Sequence, residues 1–325
     1  MKISVAMCTY QGSRHLNAQM ESILAQTRQP YELVVCDDGS TDNTVEMLRS
    51  RALTSGFPIR VTVNSPTLGV VQNFEKAIRL CSGDIVVLSD QDDVWRLDKL
   101  ACMEKMFVDH PEIGGFFSDA LVVDEGLRPM GYTMWEYVDF SSEERSLVLH
   151  ADALDVLLRG PKVTGATLAF RLNLREDLLP IPRLWMHDAW ISLMIAATSQ
   201  LSIIDEPLIK YRQHSANQIG AKKKGMRFRF NECAATDRKQ YYRDEIKRYE
   251  EAFSRVASKP ALTGGLPSRI SKLQAKLNHL KIRSQLPESK LLRVPVICRG
   301  LLAQDYRRYS ASWQVAVKDL LLNSR

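Results

Sequence analysis

The feature that most constrains this chain is an alternation. Short β-type apolar runs at Ile3 to Met7, Tyr31 to Cys36, Ile59 to Val63 and Ile85 to Leu88 are separated by segments whose apolar residues recur at helical spacing. Leu16, Met20, Ile23 and Leu24 mark the first helix, Val45, Met47 and Leu48 the second, and Val71, Phe74, Ala77, Ile78 and Cys81 the third. Strands alternating with helices predict an α/β fold with a mostly parallel sheet and helices on both faces. In such sheets ligands bind beyond the carboxyl ends of the strands. The loops beginning at Cys8, Asp37 and Ser89 all fall at those ends, so they can converge on one ligand.

The third loop carries the strongest chemistry. Leu88-Ser-Asp-Gln-Asp-Asp-Val-Trp places Asp90, Asp92 and Asp93 within four residues. Carboxylates this close repel one another, which is tolerable where a cation neutralises them or where all three are solvated. Hard oxygen ligands suit Mg²⁺ or Mn²⁺, and Mg²⁺ binds through one or two carboxylates while substrate phosphates complete its shell. That arrangement fits a nucleotide diphosphate leaving group. The Asp37-Asp38-Gly39-Ser40-Thr41-Asp42 segment is a turn with Asx and Ser/Thr chemistry, with Thr41 or Asp42 placed to start the next helix. On residue type alone, Asp38 reads as a turn carboxylate. No GxGxxG follows the first strand and no GxxxxGK[ST] is present, so neither a dinucleotide dehydrogenase nor a P-loop phosphotransferase is supported.

Composition sets outer limits. With 325 residues, 45% hydrophobic and 25% charged, the chain suits one large globular domain and an appendage. No run approaches ~18 apolar residues, and the most apolar stretch, 189–204, is broken by Ser192, Thr198, Ser199, Gln200 and Ser202. Met1 to Val5 reads as an opening strand rather than a secretory signal, so the cytoplasm is the expected address. The six cysteines form no CxxC pair and are expected to be buried, reduced thiols. Charge is uneven: residues 1–219 hold 20 Lys and Arg against 29 Asp and Glu, and residues 220–325 hold 24 against 9. An acidic body of 1–219 and a basic, mainly helical tail of 220–325 are therefore expected.

Val5-Ala-Met-Cys-Thr-Tyr-Gln-Gly12, the turn from Val34 to Asp42, and Leu88 to Trp95 followed by Asp98-Lys99-Leu100 together resemble the family 2 glycosyltransferases of the GT-A fold. The likeness is to bacterial rhamnosyltransferase-like members that build cell-surface polysaccharide. It covers roughly the first hundred residues and implies a Rossmann-like sheet in which about 1–100 bind a nucleotide sugar and about 101–219 face the acceptor. It implies that Thr9, Tyr10, Asp38, Asn73, Asp90 and Gln91 bind the nucleotide sugar, with Asp38 on the base. Asp92 is then the direct metal ligand, Asp90 lies nearer the ribose or sugar, and Asp93 stands behind them.

The middle of the chain should meet the acceptor. Phe116 to Ser118 and Leu121 to Asp124 read as short strands, and Val163 to Arg171 as either a buried strand or a Gly-containing segment that approaches a sugar closely. Trp185-Met-His-Asp-Ala-Trp190 opens an apolar helix. By resemblance Asp188 is the catalytic base, accepting the proton of the acceptor hydroxyl in an inverting transfer; as a bare residue it also reads as an N-cap. His187 stands where family members commonly carry Glu. Glu206-Pro207 through Tyr211-Arg212-Gln-His214-Ser-Ala-Asn217 resembles the segment whose His completes the metal shell, which makes His214 a ligand and Arg212 a diphosphate contact. A neutral imidazole suits Mn²⁺ better than Mg²⁺. The QxxRW signature of processive members is missing, so single transfers are expected rather than polymer synthesis.

In the tail, Lys222 to Phe230 interleaves cations with aromatics, and Ile270 to Arg283 and Ser312 to Leu322 read as basic or amphipathic helices. Anionic lipid, nucleic acid or simple packing on the body would each fit, and the resemblance favours peripheral contact with the inner face of the membrane, with nucleic acid not expected. The reading as a whole is a metal-dependent (Mn²⁺ or Mg²⁺), inverting glycosyltransferase. Its donor would be dTDP-rhamnose or a UDP-sugar, and its acceptor a lipid-linked or oligosaccharide hydroxyl. A catalytically inactive nucleotide-sugar-binding or assembly scaffold of the same fold is the alternative, disfavoured because Asp92, Asp188 and His214 are all present. A nucleotidyltransferase would want a Gly-rich, Arg-containing first loop, which Cys8 to Arg14 does not supply.

Overall fold

A computed structural model describes residues 1–214, 237–259 and 265–321. The chain divides into two compact units: the first holds Met1–Ala151 and the described residues from Lys162 to His214, the second Asp152–Pro161 and the described residues from Asp237 onward. Asp152–Pro161 thus group with the helical unit although they lie within the 1–219 stretch.

In the first unit β1 (Ile3–Thr9), β2 (Glu32–Asp37), β3 (Ile59–Val63) and β4 (Ile85–Ser89) run parallel in the spatial order β3-β2-β1-β4. Every residue of β1, β2 and β4 is buried, as continuous apolar runs covered on both faces require. Between them run α1 (Ser13–Leu24), α2 (Thr44–Thr54) and α3 (Val70–Leu80). Register places Thr9 beside Asp37 and Met7 beside Ser89, so the three loops leave the same edge of the sheet. The start of α2 differs from expectation: it begins at Thr44 after Asn43, without a side-chain cap. The Asp42 carboxylate instead accepts from Ser13 N and Thr44 N, each at 3.1 Å, tying two loops together.

Beyond β4 the sheet becomes mixed. The remaining elements are β5 (Val94–Trp95), α4 (Lys99–Asp109), β6 (Gly115–Val123), β7 (Pro129–Thr133), β8 (Leu168–Arg171), α5 (His187–Thr198) and β9 (Leu201–Arg212), with shorter helices between them. β8 lies antiparallel between β4 and β6, β9 runs parallel to β6, β5 closes the edge on β9, and β7 pairs with β6. The two short strands expected at 116–118 and 121–124 are one strand, β6, whose register against β9 shifts around Ser118, Asp119 and Ala120. Pro207 sits in that irregular stretch, where a residue without an N–H does least harm to the ladder. The Val163–Arg171 segment is a 3-10 turn, Gly165–Thr167, leading into β8. The most apolar stretch of the chain is a core helix: Trp190, Ile191, Met194, Ile195 and Ala197 in α5 are fully buried.

The second unit contains α6 (Arg238–Ala257), α7 (Leu266–Ser284), α8 (Lys290–Leu302), α9 (Asp305–Tyr309) and α10 (Gln314–Leu321), with a short helix at Ala153–Leu157. The predicted basic helices at 270–283 and 312–322 correspond to α7 and α10, while the Lys222–Phe230 stretch lies outside the described residues. Asp319 of α10, 1% exposed, organises the unit. It accepts from Arg238 Nη2 at 2.6 Å, Arg283 Nε at 2.7 Å, Tyr306 OH at 3.0 Å and Tyr242 OH at 3.3 Å. Burial alone would raise its carboxyl, but the Arg283 and Arg238 partners hold it below the ordinary range. Among the described residues no helix is long and apolar enough to cross a membrane. Cys8, Cys36 and Cys81 are buried free thiols as expected, whereas Cys298 is exposed.

Beside this knot, burial with the Arg283 and Lys276 charges lowers His279 to about 3, against the opposing Asp319 charge. A ring kept neutral in the fold but protonated in the unfolded chain contributes stability that is present above the ordinary imidazole value and lost as pH falls. His279→Gln should therefore flatten the fall in unfolding free energy between about pH 6 and 4 by nearly one proton, ~1.4 kcal/mol per pH unit, in urea titrations. An unchanged slope would show that this ring is not held neutral.

Candidate active site

Side-chain amides and hydroxyls lock the three loops to one another. The Gln91 amide spans the gap, Oε1 accepting from Tyr10 N and Nε2 donating to Tyr10 O, both at 2.9 Å. A Cβ on Gly12 would lie 2.1 Å from Gln91 Oε1, so only glycine leaves room for this clamp. Gln11 N donates to Ser40 Oγ at 2.9 Å, and Thr9 Oγ1 donates to Asp37 Oδ2 at 2.7 Å. Asp37 also accepts from Ser40 N at 2.7 Å and Gly39 N at 3.1 Å, which shapes the turn after β2.

Asp38 is buried and holds the loop before α3: Oδ1 accepts from Asn64 Nδ2 at 2.9 Å and Leu68 N at 2.7 Å, and Oδ2 from Gly69 N at 2.8 Å. Asn73 lies beneath, accepting from Asn64 Nδ2 and donating to Cys36 O, both at 2.8 Å. Thr9, Asp38 and Asn73 thus spend hydrogen bonds on the loops themselves, while the Tyr10 side of the first loop is open to solvent, the residue being 52% exposed.

The acidic turn is partly withdrawn from solvent: Asp93 is buried, while Asp90 and Asp92 are half-buried. Burial, with the charges of Asp92 and Asp188, pushes the Asp90 carboxyl up to about 7 against the opposing Lys99 cation. Asp93 is 1% exposed; its Oδ1 accepts from Arg212 N at 3.1 Å and its Oδ2 has no hydrogen-bond partner among the described residues. Burial, then Asp92 and Asp90, drives its carboxyl well above the usual range. Lys99 is the buried countercharge: Nζ donates to Ala166 O at 2.8 Å and sits 3.8 Å from the centre of the Trp95 ring. Burial lowers its ammonium to about 7 although Asp93 and Asp90 favour the charge. Sequence reasoning gave Lys99 no role, yet a signal was present. A cation as the first residue of α4 faces the positive end of the helix dipole, which is unfavourable unless an anion lies nearby.

Asp92 and His214 come together across the sheet, with His214 Nε2 2.8 Å from Asp92 Oδ2. Arg212 secures the same corner, Nε donating to Asp92 O at 2.7 Å and Nη1 to Glu125 O at 2.6 Å, so its guanidinium bonds backbone carbonyls of two loops. No group of three or more His, Cys, Asp or Glu side chains among the described residues is arranged to hold an ion. One carboxylate and one imidazole side by side, with a carboxylate oxygen behind them that has no partner among the described residues, fit a divalent cation whose remaining ligands would come from substrate phosphates and water.

Asp188 opens α5, its Oδ1 accepting from Ala189 N at 2.7 Å and its Oδ2 from Gly165 N at 3.1 Å. It therefore lies inside the first turn, the N-cap position being Met186 with no side-chain capping bond, and its charge acts on Asp90. His187 is 5% exposed, stacked on Phe74 at 4.1 Å and 15°, with both ring nitrogens lacking hydrogen-bond partners among the described residues. Burial lowers the ring, with Asp188 opposing, so it is neutral near pH 7. A Cβ on Gly165 would lie 2.6 Å from His187 Nε2, so the residue that bonds Asp188 is glycine because the ring packs on it. Replacing Lys99 by Met should cost about 1–3 kcal/mol of stability in urea unfolding, because the buried Ala166 carbonyl loses its donor. A loss below ~0.5 kcal/mol would mean that the ammonium contributes no more than an ordinary surface group.

Residues 4–151 match the model of "Glycosyl transferase family 2". An uncharacterized glycosyltransferase of Nostoc sp. is 28% identical over 222 residues, 67% of this chain and 66% of the relative. The dTDP-rhamnosyl transferase RfbG of Shigella flexneri is 24% identical over 262 residues, 76% of this chain and 84% of its own. The chain thus spans just under two thirds of the Nostoc relative's length. Among solved structures, S. aureus TarS 1-349 in complex with UDP-GlcNAc superposes with a TM-score of 0.60 at 14% identity, covering 98% of this chain and 88% of that one. A mannosyltransferase from Pyrobaculum calidifontis in complex with GDP-Man and Mn²⁺ gives 0.54 at 20% identity, covering 98% and 87%. At these identities the structures speak for the fold alone.

Proposed function

We propose that this chain, whose residues 4–151 belong to glycosyl transferase family 2, moves a sugar from a nucleotide-sugar donor to a hydroxyl of a growing cell-surface glycan. The observation that carries the reading is the pairing of Asp92 with His214 at the rim of a half-buried acidic turn whose Asp90 feels the charge of Asp188. Thr9, Tyr10, Asp38, Asn73, Asp90 and Gln91 form the donor side. Of these, Asp38, Asn73 and Gln91 also set the loop positions, and Arg212 fixes the turn from behind.

Asp92 and His214 would hold Mn²⁺ or Mg²⁺, which supplies positive charge where the departing diphosphate gathers negative charge. Asp188 accepts the proton of the attacking hydroxyl, and Gly165 N–H and the first turn of α5 fix its carboxylate for that task. A single displacement of this kind inverts the anomeric centre. The Shigella relative is named for dTDP-rhamnose and the TarS complex contains UDP-GlcNAc, which supports a nucleotide sugar and makes rhamnose the favoured cargo. The acceptor is a lipid-linked or oligosaccharide hydroxyl. Residues 1–100 then serve the donor, 101–219 the acceptor.

Asp188→Asn keeps size and removes the proton acceptor. Turnover of dTDP-rhamnose or a UDP-sugar in the presence of a lipid-linked acceptor should fall by roughly 10²–10⁴, while nucleotide affinity and thermal stability stay close to wild type. Full turnover with unchanged binding would remove Asp188 as the base.

A further inference from the structure

In the second unit, α8 is built inside out. A helix on a globular surface turns its apolar stripe inward, but in α8 the buried positions are Arg293, 2% exposed, and Ile297. The outer face carries Leu291 at 83% exposure, Leu302 at 87%, Val294 and Leu301 at about half of that, and exposed Cys298. Positions 291, 294, 298, 301 and 302 follow helical spacing, so they form one continuous stripe rather than scattered residues.

The orientation is pinned. Arg293 donates to Pro287 O at 2.6 Å, Asp319 O at 2.9 Å and Glu288 O at 3.2 Å. Rolling the leucines inward would pull this buried guanidinium off three carbonyls and leave a charge without partners, which is far costlier than exposing leucine. The outward face is therefore a built feature, and an apolar stripe of this size calls for an apolar partner.

Charge selects that partner. Between Glu288 and Arg308 the exposed cations Lys290, Arg299, Arg307 and Arg308 outnumber the acidic residues, which are Glu288 and Asp305 at the two ends of the helix. The whole 220–325 region carries 24 basic against 9 acidic residues, so two copies pressed together here would repel. We propose that the α8 face docks on an anionic lipid bilayer, with Leu291, Val294, Leu301 and Leu302 entering the acyl boundary and the flanking cations resting among the headgroups. The inference is independent of the transferase reading, since neither donor nor acceptor enters it.

The test is flotation of the full chain with vesicles of phosphatidylcholine alone or mixed with phosphatidylglycerol. The wild type should float with the mixed vesicles only, and less as salt rises. Leu291→Ser with Leu302→Ser should weaken binding at least about tenfold without changing thermal unfolding, because both side chains are already exposed. Flotation of the double variant at the wild-type level would overturn the proposal, as would a wild type that ignores anionic vesicles. A wild-type dimer that the same variant converts to monomers, with no lipid binding in either, would assign the face to a second copy instead.

Discussion

Asp90, Asp92 and Asp93 leave β4 on one tight turn, Asp93 buried and the other two half-buried, and their mutual repulsion is what the surrounding chain is arranged to manage. Two like charges 4 Å apart near a protein surface oppose each other by about 4 kcal/mol. The structure answers from several directions. Lys99 lies beneath as a buried cation, Arg212 N–H bonds Asp93, and His214 meets Asp92. What is left over is an acidic patch with one carboxylate oxygen lacking a partner among the described residues and one carboxyl raised to about 7. Such a patch is an unfavourable element of a resting fold and a favourable receptor for a cation that arrives with phosphates.

The same need explains why the loops are so heavily cross-tied. A donor bridging the first strand's loop and the acidic turn gains most if those loops are already in place, because ordering them at binding would cost affinity. Gln91 and Asp37 do this ordering with side-chain bonds to backbone groups, Thr9 with a bond to the Asp37 carboxylate and the Gln11 N–H with one to Ser40 Oγ, and Gly12 is the space that the Gln91 clamp needs. Asp188 reaches the patch by a different route. β8 inserts antiparallel beside β4, and the 3-10 turn that precedes it brings Gly165 N–H to the carboxylate.

The parallel half of the sheet was legible because β1, β2 and β4 are buried on both faces, which makes each one a plain apolar run, while the partly exposed edge strand β3 reads through its β-branched Ile, Val and Thr. The mixed half was not, since the placement of β8 and the two-residue β5 are long-range pairings that leave no periodic trace. The helix start expected near Thr41 or Asp42 shifted because Asp42 is engaged by Ser13, a partner from another loop. At the site, residue type pointed to the acidic turn, and the family likeness pointed to Asp38, Asn73, Asp188, Arg212 and His214. Neither distinguishes a side chain that touches a ligand from one that holds a loop. Asp38 and Asn73 both bond Asn64, and Arg212 bonds backbone carbonyls, facts that only three-dimensional proximity supplies. The surroundings of His187 were equally hidden: stacking on Phe74 and packing on Gly165 come from two distant segments.

The central claim is that the turn after β4 receives a nucleotide diphosphate together with a divalent cation. Calorimetric titration of UDP and dTDP into the protein, with and without Mn²⁺, on wild type and on Asp92→Ala, tests it directly. The account predicts binding of one nucleotide that needs Mn²⁺ and disappears in the variant. Binding that is indifferent to both the metal and Asp92, or no binding of either nucleotide under any condition, would contradict it.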